Sequence, residues 1–372
     1  MQVQPAAFLR TTLPLDLSNL DVLDSGRYHS IWLPDHMVSF WPDAIWNPEF
    51  TDLATVSPSP HRHLDAMAVA AAVAVKTKNV PIITCVVDTV RRHPSLLAQS
   101  ALTIDHLAKG RFILGLGSGE TENTVPYGFD FSKPVSRFEE ALKVIRLLWD
   151  SQGPVDFDGQ FYKLRHARLD TEPYEGRFPK IWIGASGPRM LEITGRYADG
   201  WWPAGAWTPD EYAAKLKVVR DAAERAGRDP MAIVPALTWM CLLADNDDEL
   251  AEIASAPLIK SLILMIDTPT LRARGYEHPM GDSWRGYQDI TPEALTRERV
   301  LEVLQKTSVE ALLSVIPHGT PKQLARELKG YVEAGLRVPK ILDYGGMAGL
   351  RFGARSAARV REAEDELMRL TR

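Results

Sequence analysis

Short runs of apolar and β-branched residues alternate along the chain with stretches whose apolar positions recur every three to four residues. This change of period predicts strands separated by helices, the pattern of a parallel α/β sheet. Strands are expected at residues 6–9, 29–33, 80–87, 112–116, 180–184, 200–203, 233–243 and 340–343. Most of these runs are apolar almost throughout, so several should be buried on both faces. Helix ends are marked by residue chemistry. Ser136-Arg137-Phe138-Glu139 has the form of a capping box, with Phe138, Leu142, Ile145 and Leu148 then sharing one helix face. Thr208-Pro209-Asp210-Glu211 and Thr320-Pro321-Lys322-Gln323 repeat the device with proline at the first helical position. Gly227 and Gly335 stop those two helices, and Gly26 and Gly110 stop two earlier ones.

Eight strands with helices between them predict a (β/α)8 TIM barrel rather than an open sheet. Such a barrel takes about 250 residues, which leaves roughly 120 for insertions after strands. Three insertions are expected, at about residues 37–63, 117–134 and 256–318. No stretch of Pro/Gly/Ser character divides the chain, so residues 1–372 are expected to form one domain. Barrel chemistry gathers at the C-terminal ends of the strands. That rule nominates Asp35-His36, residues 85–88, residues 117–120 and residues 185–187.

Composition narrows the class. The 372 residues are 45% hydrophobic and 24% charged, with a formal net charge of −5. No run approaches the length of a membrane span, and the N-terminus lacks a basic region followed by an apolar one. Cys85 and Cys241 are the only cysteines, too few for a disulfide framework or a four-cysteine zinc site. Scattered Lys and Arg and a pI near 6.0 argue against nucleic acid as a partner. A soluble cytoplasmic enzyme is the expectation.

Each candidate site carries a functional and a plainer reading. Asp35-His36 ends a buried strand with an acid and an imidazole able to move a proton near neutral pH, or simply caps the next helix. Residues 115–120, Gly-Leu-Gly-Ser-Gly-Glu, lack the spacing and the adjoining helix of a dinucleotide fingerprint. They suit the close approach of a flat ring with Glu120 at its edge, or an ordinary glycine-rich turn. Ala185, Ser186 and Gly187 lie between a strand and a helix start, where backbone N–H groups can seat a phosphate, or form a plain tight turn before the helix. Cys85 reads as a buried thiol. His61 and His63 stand at a spacing that faces them apart on a strand, so no metal is expected. A serine nucleophile elbow is missing.

Taken in order, Asp35-His36, residues 84–88 with Arg92-His93-Pro94 after them, Gly110-Arg111, residues 115–120 with Asn123, residues 137–140 and residues 183–200 resemble the luciferase-like superfamily of barrel proteins. Within it they are most similar to the coenzyme F420-dependent oxidoreductase branch. The likeness covers most of residues 29–205 and, more loosely, 320–345. It implies hydride transfer between the deazaflavin and a carbonyl, an alcohol or an activated alkene. An FMN-dependent monooxygenase using reduced flavin and O2, or a non-catalytic binding barrel, are the alternatives. It also implies site roles. Asp35 would hydrogen-bond the ring, His36 would be the acid/base, and Glu120 a second proton-handling group. Cys85-Val86 would form a non-prolyl cis peptide against the back of the ring, Asp88 and Asn123 would contact the cofactor, and Ala185, Ser186 and Gly187 would cradle its phosphate. Where sugar-phosphate dehydrogenases of the branch place a lysine, residues 201–207 are apolar and aromatic. An apolar, possibly lipid-like substrate within a rim of Trp41, Trp46, Trp202 and Trp207 is therefore expected, and the segments 122–128, 187–190, 195–199 and 277–281 are similar to the phthiodiolone ketoreductases. The superfamily also implies a homodimer.

Overall fold

The computed structural model describes residues 2–205 and 207–372. Eight parallel strands form the barrel: β1 (Ala7–Phe8), β2 (Ile31–Leu33), β3 (Ile82–Thr84), β4 (Phe112–Gly117), β5 (Lys180–Ile183), β6 (Gly200–Trp201), β7 (Val234–Leu243) and β8 (Val338–Asp343). Each pairs with the next in chain order. The ring closes where Gln4 N donates to Arg337 O and Ala6 N to Pro339 O, at 3.0 and 2.8 Å. The expected strand at 80–87 divides in two, because the Cys85–Val86 peptide is cis and turns the chain before Val87–Asp88 pairs with the end of β4. Gly115 fixes the approach of β4 to β3: a Cβ there would stand 1.7 Å from the Thr84 carbonyl oxygen, so no other residue fits.

Burial follows the two-sided pattern expected of a parallel barrel. Inside the barrel lie Trp32, Ile83, Cys85, Ile113, Trp182, Ala236 and Val338. Outside it, the helices Ala66–Lys76, Pro94–Ala108, Pro134–Asp150, Pro188–Tyr197, Pro209–Arg225 and Pro321–Glu333 pack their apolar faces on the strands. The capping boxes at Thr208 and Thr320 form as expected. That at Ser136 does not. The helix opens two residues earlier, at Pro134 with Lys133 at the N-cap, because proline is set for the first turn and brings no N–H needing a cap. Ser136 and Glu139 instead accept hydrogen bonds from Arg189.

The segments 37–63 and 256–318 form a second cluster over the C-terminal ends of the strands. Trp41 and Ile45 from the first pack with Leu258, Ile259, Ile263, Leu271, Ile290 and Val303 from the second, and with Leu242 at the end of β7. A hairpin, Val155–Asp158 with Lys163–Ala167, was not expected; its strands are short and largely exposed. Among the described residues no helix is long and apolar enough to cross a membrane.

Candidate active site

β2 carries the chain through Pro34 to Asp35 and His36 at the rim of the barrel. Asp35 is buried and its carboxylate is taken up by arginines. Arg91 Nη2 donates to it at 2.5 Å, and Arg92 Nη1 and Nη2 at 2.6 and 3.0 Å. Arg91 also holds Asp88 through Nε, and Arg92 holds Asp65 at 2.5 Å. Asp88 accepts the backbone N–H groups of Val90 and Arg91 at 2.9 and 2.7 Å, which fixes the turn after the cis bond. Asp35 is thus the hub of an ion-pair network, and Arg91 is the cation that this network presents to the site.

Asn123 joins the loop after β2 to the loop after β4. Its Oδ1 accepts from the backbone N–H groups of Met37 and Val38 at 2.6 and 3.2 Å. Its Nδ2 then faces His36 Nδ1 and Glu120 Oε2, both at 3.1 Å, and Glu122 Oε1 at 3.3 Å. His36 Nδ1 and Glu120 Oε2 lie 3.4 Å apart, and both side chains reach solvent. Glu122 is 1% exposed. Burial, reinforced by the neighbouring Glu120, pushes its carboxyl up to about 9. Tyr287 and Tyr344 close this side of the cluster, and burial raises both phenols above their usual value. On the other side the His63 ring stands 5.4 Å from that of His36. Burial, with the nearby His36 and His61, holds His63 down to about 3. One ligand-type atom from each of His36, Glu120 and Glu122 lies within 4.8 Å of the others. The Asn123 amide nitrogen, a donor, stands within reach of all three, an arrangement that suits protons rather than a cation.

Beside this cluster opens a cavity of about 150 Å³ lined by Val86, Asp88, Arg91, Gly117, Glu120, Asn123 and Gly184. Its floor is glycine against valine. A Cβ at Gly117 would lie 2.5 Å from Val86 Cγ2, and one at Gly184 3.3 Å from Val86 Cγ1. Only backbone leaves room for a flat ring there. Behind the floor, Cys85 is buried and its thiol pushed up to about 11 by burial. Lys340 is also buried, its Nζ over the rings of Phe8, Trp32 and Trp202 at 4.2, 5.4 and 5.8 Å. Ala185, Ser186 and Gly187 continue from Gly184, with Gly187 the N-cap of the helix Pro188–Tyr197. Lys215 Nζ stands 3.4 Å from the Ser186 carbonyl oxygen. A wider groove of about 480 Å³ on the 256–318 segment is bordered by His278, Met280, Arg299 and Lys306. Its two cations are both paired with Glu302, and the titratable cluster lies elsewhere.

The four tryptophans expected at a rim are placed apart. Trp41 and Trp46 belong to the second cluster, Trp46 donating to the Ser57 carbonyl at 2.8 Å. Trp202 lies within the barrel against Trp32, donating to Thr238 at 2.7 Å. Trp207 stacks outside on Trp201, with Lys215 Nζ 4.7 Å from its ring. Their size and apolar surface drew them into packing.

The sequence profile of luciferase-like monooxygenases matches residues 23–337. The chain belongs to this family. A phthiodiolone/phenolphthiodiolone dimycocerosates ketoreductase of Mycobacterium sp. (strain JLS) is 37% identical over 302 residues, 80% of this chain and 77% of that protein. The ketoreductase of the same description from Mycobacterium tuberculosis (strain ATCC 25618 / H37Rv) is 36% identical over 322 residues, 84% of this chain and 83% of its own length. An F420-dependent glucose-6-phosphate dehydrogenase of Nakamurella multipartita is 35% identical over 158 residues, 41% of this chain and 46% of that protein. In fold, the chain superposes on an F420-dependent secondary alcohol dehydrogenase with a TM-score of 0.71 at 20% identity, covering 98% of this chain and 99% of the other. This luciferase-like chain is accordingly an oxidoreductase on a (β/α)8 barrel.

Arg91, Glu122, Tyr287 and Lys340 are site residues that sequence reasoning misses. Arg91 and Glu122 carry a signal, since each sits within three residues of a nominated position at a strand end. Tyr287 and Lys340 carry none: one arrives from an insertion and the other stands in mid-strand.

Proposed function

We propose that this chain is an F420-dependent oxidoreductase that transfers a hydride between the deazaflavin and a carbonyl or alcohol of an apolar, lipid-like substrate. One observation carries the reading: His36 and Glu120, from different loops, converge on a single Asn123 amide beside a cavity floored by Gly117, Gly184 and Val86. The ketoreductase relatives and the apolar stretch after β6 support the substrate class. The residues fit the cofactor. Val86 with Cys85, Gly117 and Gly184 would back its ring, Asp88, Arg91 and Asn123 would meet its edge, and Ala185, Ser186 and Gly187 at a helix N-terminus would take its phosphate. Bound there, the deazaflavin supplies the hydride.

The chain's own task is to place and neutralise charge. With the Asn123 N–H directed at Nδ1, a neutral His36 carries its proton on Nε2 and presents it outward. As negative charge grows on a carbonyl oxygen, that proton, or one from Glu120, passes to it; in the reverse direction the same atoms take it up. Asn123 holds both proton carriers in one orientation.

Fluorescence titration of the ligand-free protein with F420 and with FMN tests the cofactor: tight quenching by F420 and weak binding of FMN are expected. FMN binding with O2 consumption on a reduced flavin, and no F420 binding, would establish the monooxygenase reading instead. For a ketone substrate, His36→Asn should lower kcat by about 10²–10⁴-fold with the cofactor Kd within a few-fold of wild type. A variant turning over at the wild-type rate would remove His36 from the reaction. The reading includes a cytoplasmic homodimer, and a monomer in sedimentation velocity would correct that part alone.

A further inference from the structure

The Asn123 amide nitrogen has two hydrogens and three acceptors within reach: His36 Nδ1, Glu120 Oε2 and Glu122 Oε1. Its orientation is fixed, because its oxygen already takes the backbone N–H groups of Met37 and Val38. Two hydrogens cannot serve three acceptors; His36 and Glu120 reach solvent, which can supply a further donor, and Glu122 does not. Glu122 is the member most in need of a proton of its own. It is 1% exposed, against 41% for the Glu120 side chain, and among the described residues its Oε2 has no hydrogen-bond partner. A buried carboxylate beside a second carboxylate is disfavoured twice, by lost hydration and by like charge, and a proton removes both penalties.

Resting on the reductase reading, we propose that Glu122 is a protonated carboxylic acid in the resting protein, sharing its proton with Glu120 and reloading the His36–Glu120 pair once that pair has given a proton to the substrate. Glu122 acts through Glu120 and does not touch the reacting atoms; it is a positioning residue for the proton. The balance is simple. Reduction of a carbonyl takes a hydride, with its two electrons, at carbon and one proton at oxygen. The proton leaves His36 Nε2 while Nδ1 takes one from Glu120 at 3.4 Å, or it leaves Glu120 itself; in both cases it is drawn from Glu122, which becomes a carboxylate, and solvent restores Glu122 through the exposed Glu120 between turnovers. The groups facing Glu122 agree with this assignment. Glu120 and His36 lie across the Asn123 amide; Arg91, from the segment after β3, partly offsets the effect of Glu120. Tyr287, from the 256–318 segment, is held neutral by burial, as is Tyr344, which faces Glu120 from the end of β8.

Glu122→Gln keeps the shape and removes the proton. In the ligand-free protein at pH 7, the infrared difference between wild type and this variant should contain one protonated-carboxyl band, and that band should fade from wild type as the pH rises through about 9. Absence of the band overturns the proposal whether or not any ketone is reduced. In turnover, Glu122→Gln should lower kcat about tenfold, less than the ~10²–10⁴-fold expected of a direct donor. KM should hold within about twofold, and the alkaline limb near pH 9 should be lost; Glu122→Asp should recover part of the rate. An unchanged kcat, or a lowered kcat with that limb still in place, overturns the reloading role. If the protein reduces no ketone with the deazaflavin while the band is present, the reductase reading falls and the protonated Glu122 stands.

Discussion

Asp35 accepts from two guanidinium groups and is 4% exposed, so its charge is balanced by contact rather than by water. Replacing it with Asn would leave Arg91 and Arg92 in place around a neutral amide. Breaking a buried pair from one side costs about 3–5 kcal/mol. Here Arg91 keeps Asp88 and Arg92 keeps Asp65, which points to the lower end. The expected result for Asp35→Asn is a loss of about 3 kcal/mol in urea unfolding, and a change under about 0.5 kcal/mol, the range of ordinary surface substitutions, would show that the network does not hold the loop. The residue scale is also where the sequence is least legible. Position 35 stands out because it ends a strand, but its role as hub depends on arginines 56 and 57 positions further on. No local pattern reports such a pairing. Asn123 reads from the sequence as a cofactor contact; that its two amide ends clamp separate loops emerges only when 34–38 and 120–123 meet in space.

At the scale of elements, the apolar runs are a sound guide because a barrel strand is buried on both faces and leaves an almost uninterrupted signature. All eight strand positions fall where that signature predicts; six are trimmed at their ends, while that expected at 112–116 runs on to Gly117 and that at 340–343 begins at Val338. The failures share a cause. The hairpin at 155–167 is mostly exposed, so burial wrote little into its sequence. The capping box at Ser136 lost to Pro134, two residues earlier. Insertions 37–63 and 256–318 are visible as surplus length, yet their mutual packing is not, since nothing in either names the other. Ile45 measures that packing. It is fully buried between the two segments and the end of β7. Ile45→Ala should cost about 2–5 kcal/mol through lost contacts and the cavity left behind. Because Phe40 and Trp41 in the same loop touch Tyr344 and Tyr287, it should also broaden proton resonances of the aromatic wall beside Glu120. A stability change below about 1 kcal/mol would mean that the loop and the larger insertion are only loosely joined.

Across the whole molecule, stability should carry the mark of two neutral histidines. His63 is held down to about 3 and His29 to about 4, in both cases first by burial. Unfolded histidine takes its proton near pH ~6.5, so between that value and the folded one the unfolded chain binds more protons. Stability must therefore fall as the pH drops below about 6.5, by up to about 1.4 kcal/mol per pH unit for each such group. Carboxyls raised by burial, Glu122 and Asp343 among them, work in the opposite sense: their folded forms keep a proton that the unfolded chain gives up, so they stabilise as the pH falls. The raw pH profile of the protein mixes both, and a single substitution separates them. Neither ring nitrogen of His63 has a hydrogen-bond partner among the described residues, so His63→Phe keeps a ring in place and removes only the titration. Urea midpoints of wild type and variant should lie close together at pH 7.5 and separate in favour of the variant by pH 5. The charges around the ring set the size of that gap: His36 and His61 add to it, and Asp35, already paired with two arginines, is the opposing charge. Parallel curves over that range would mean that His63 takes up its proton in the folded protein over the same pH range as in the unfolded chain, and that burial does not hold it neutral.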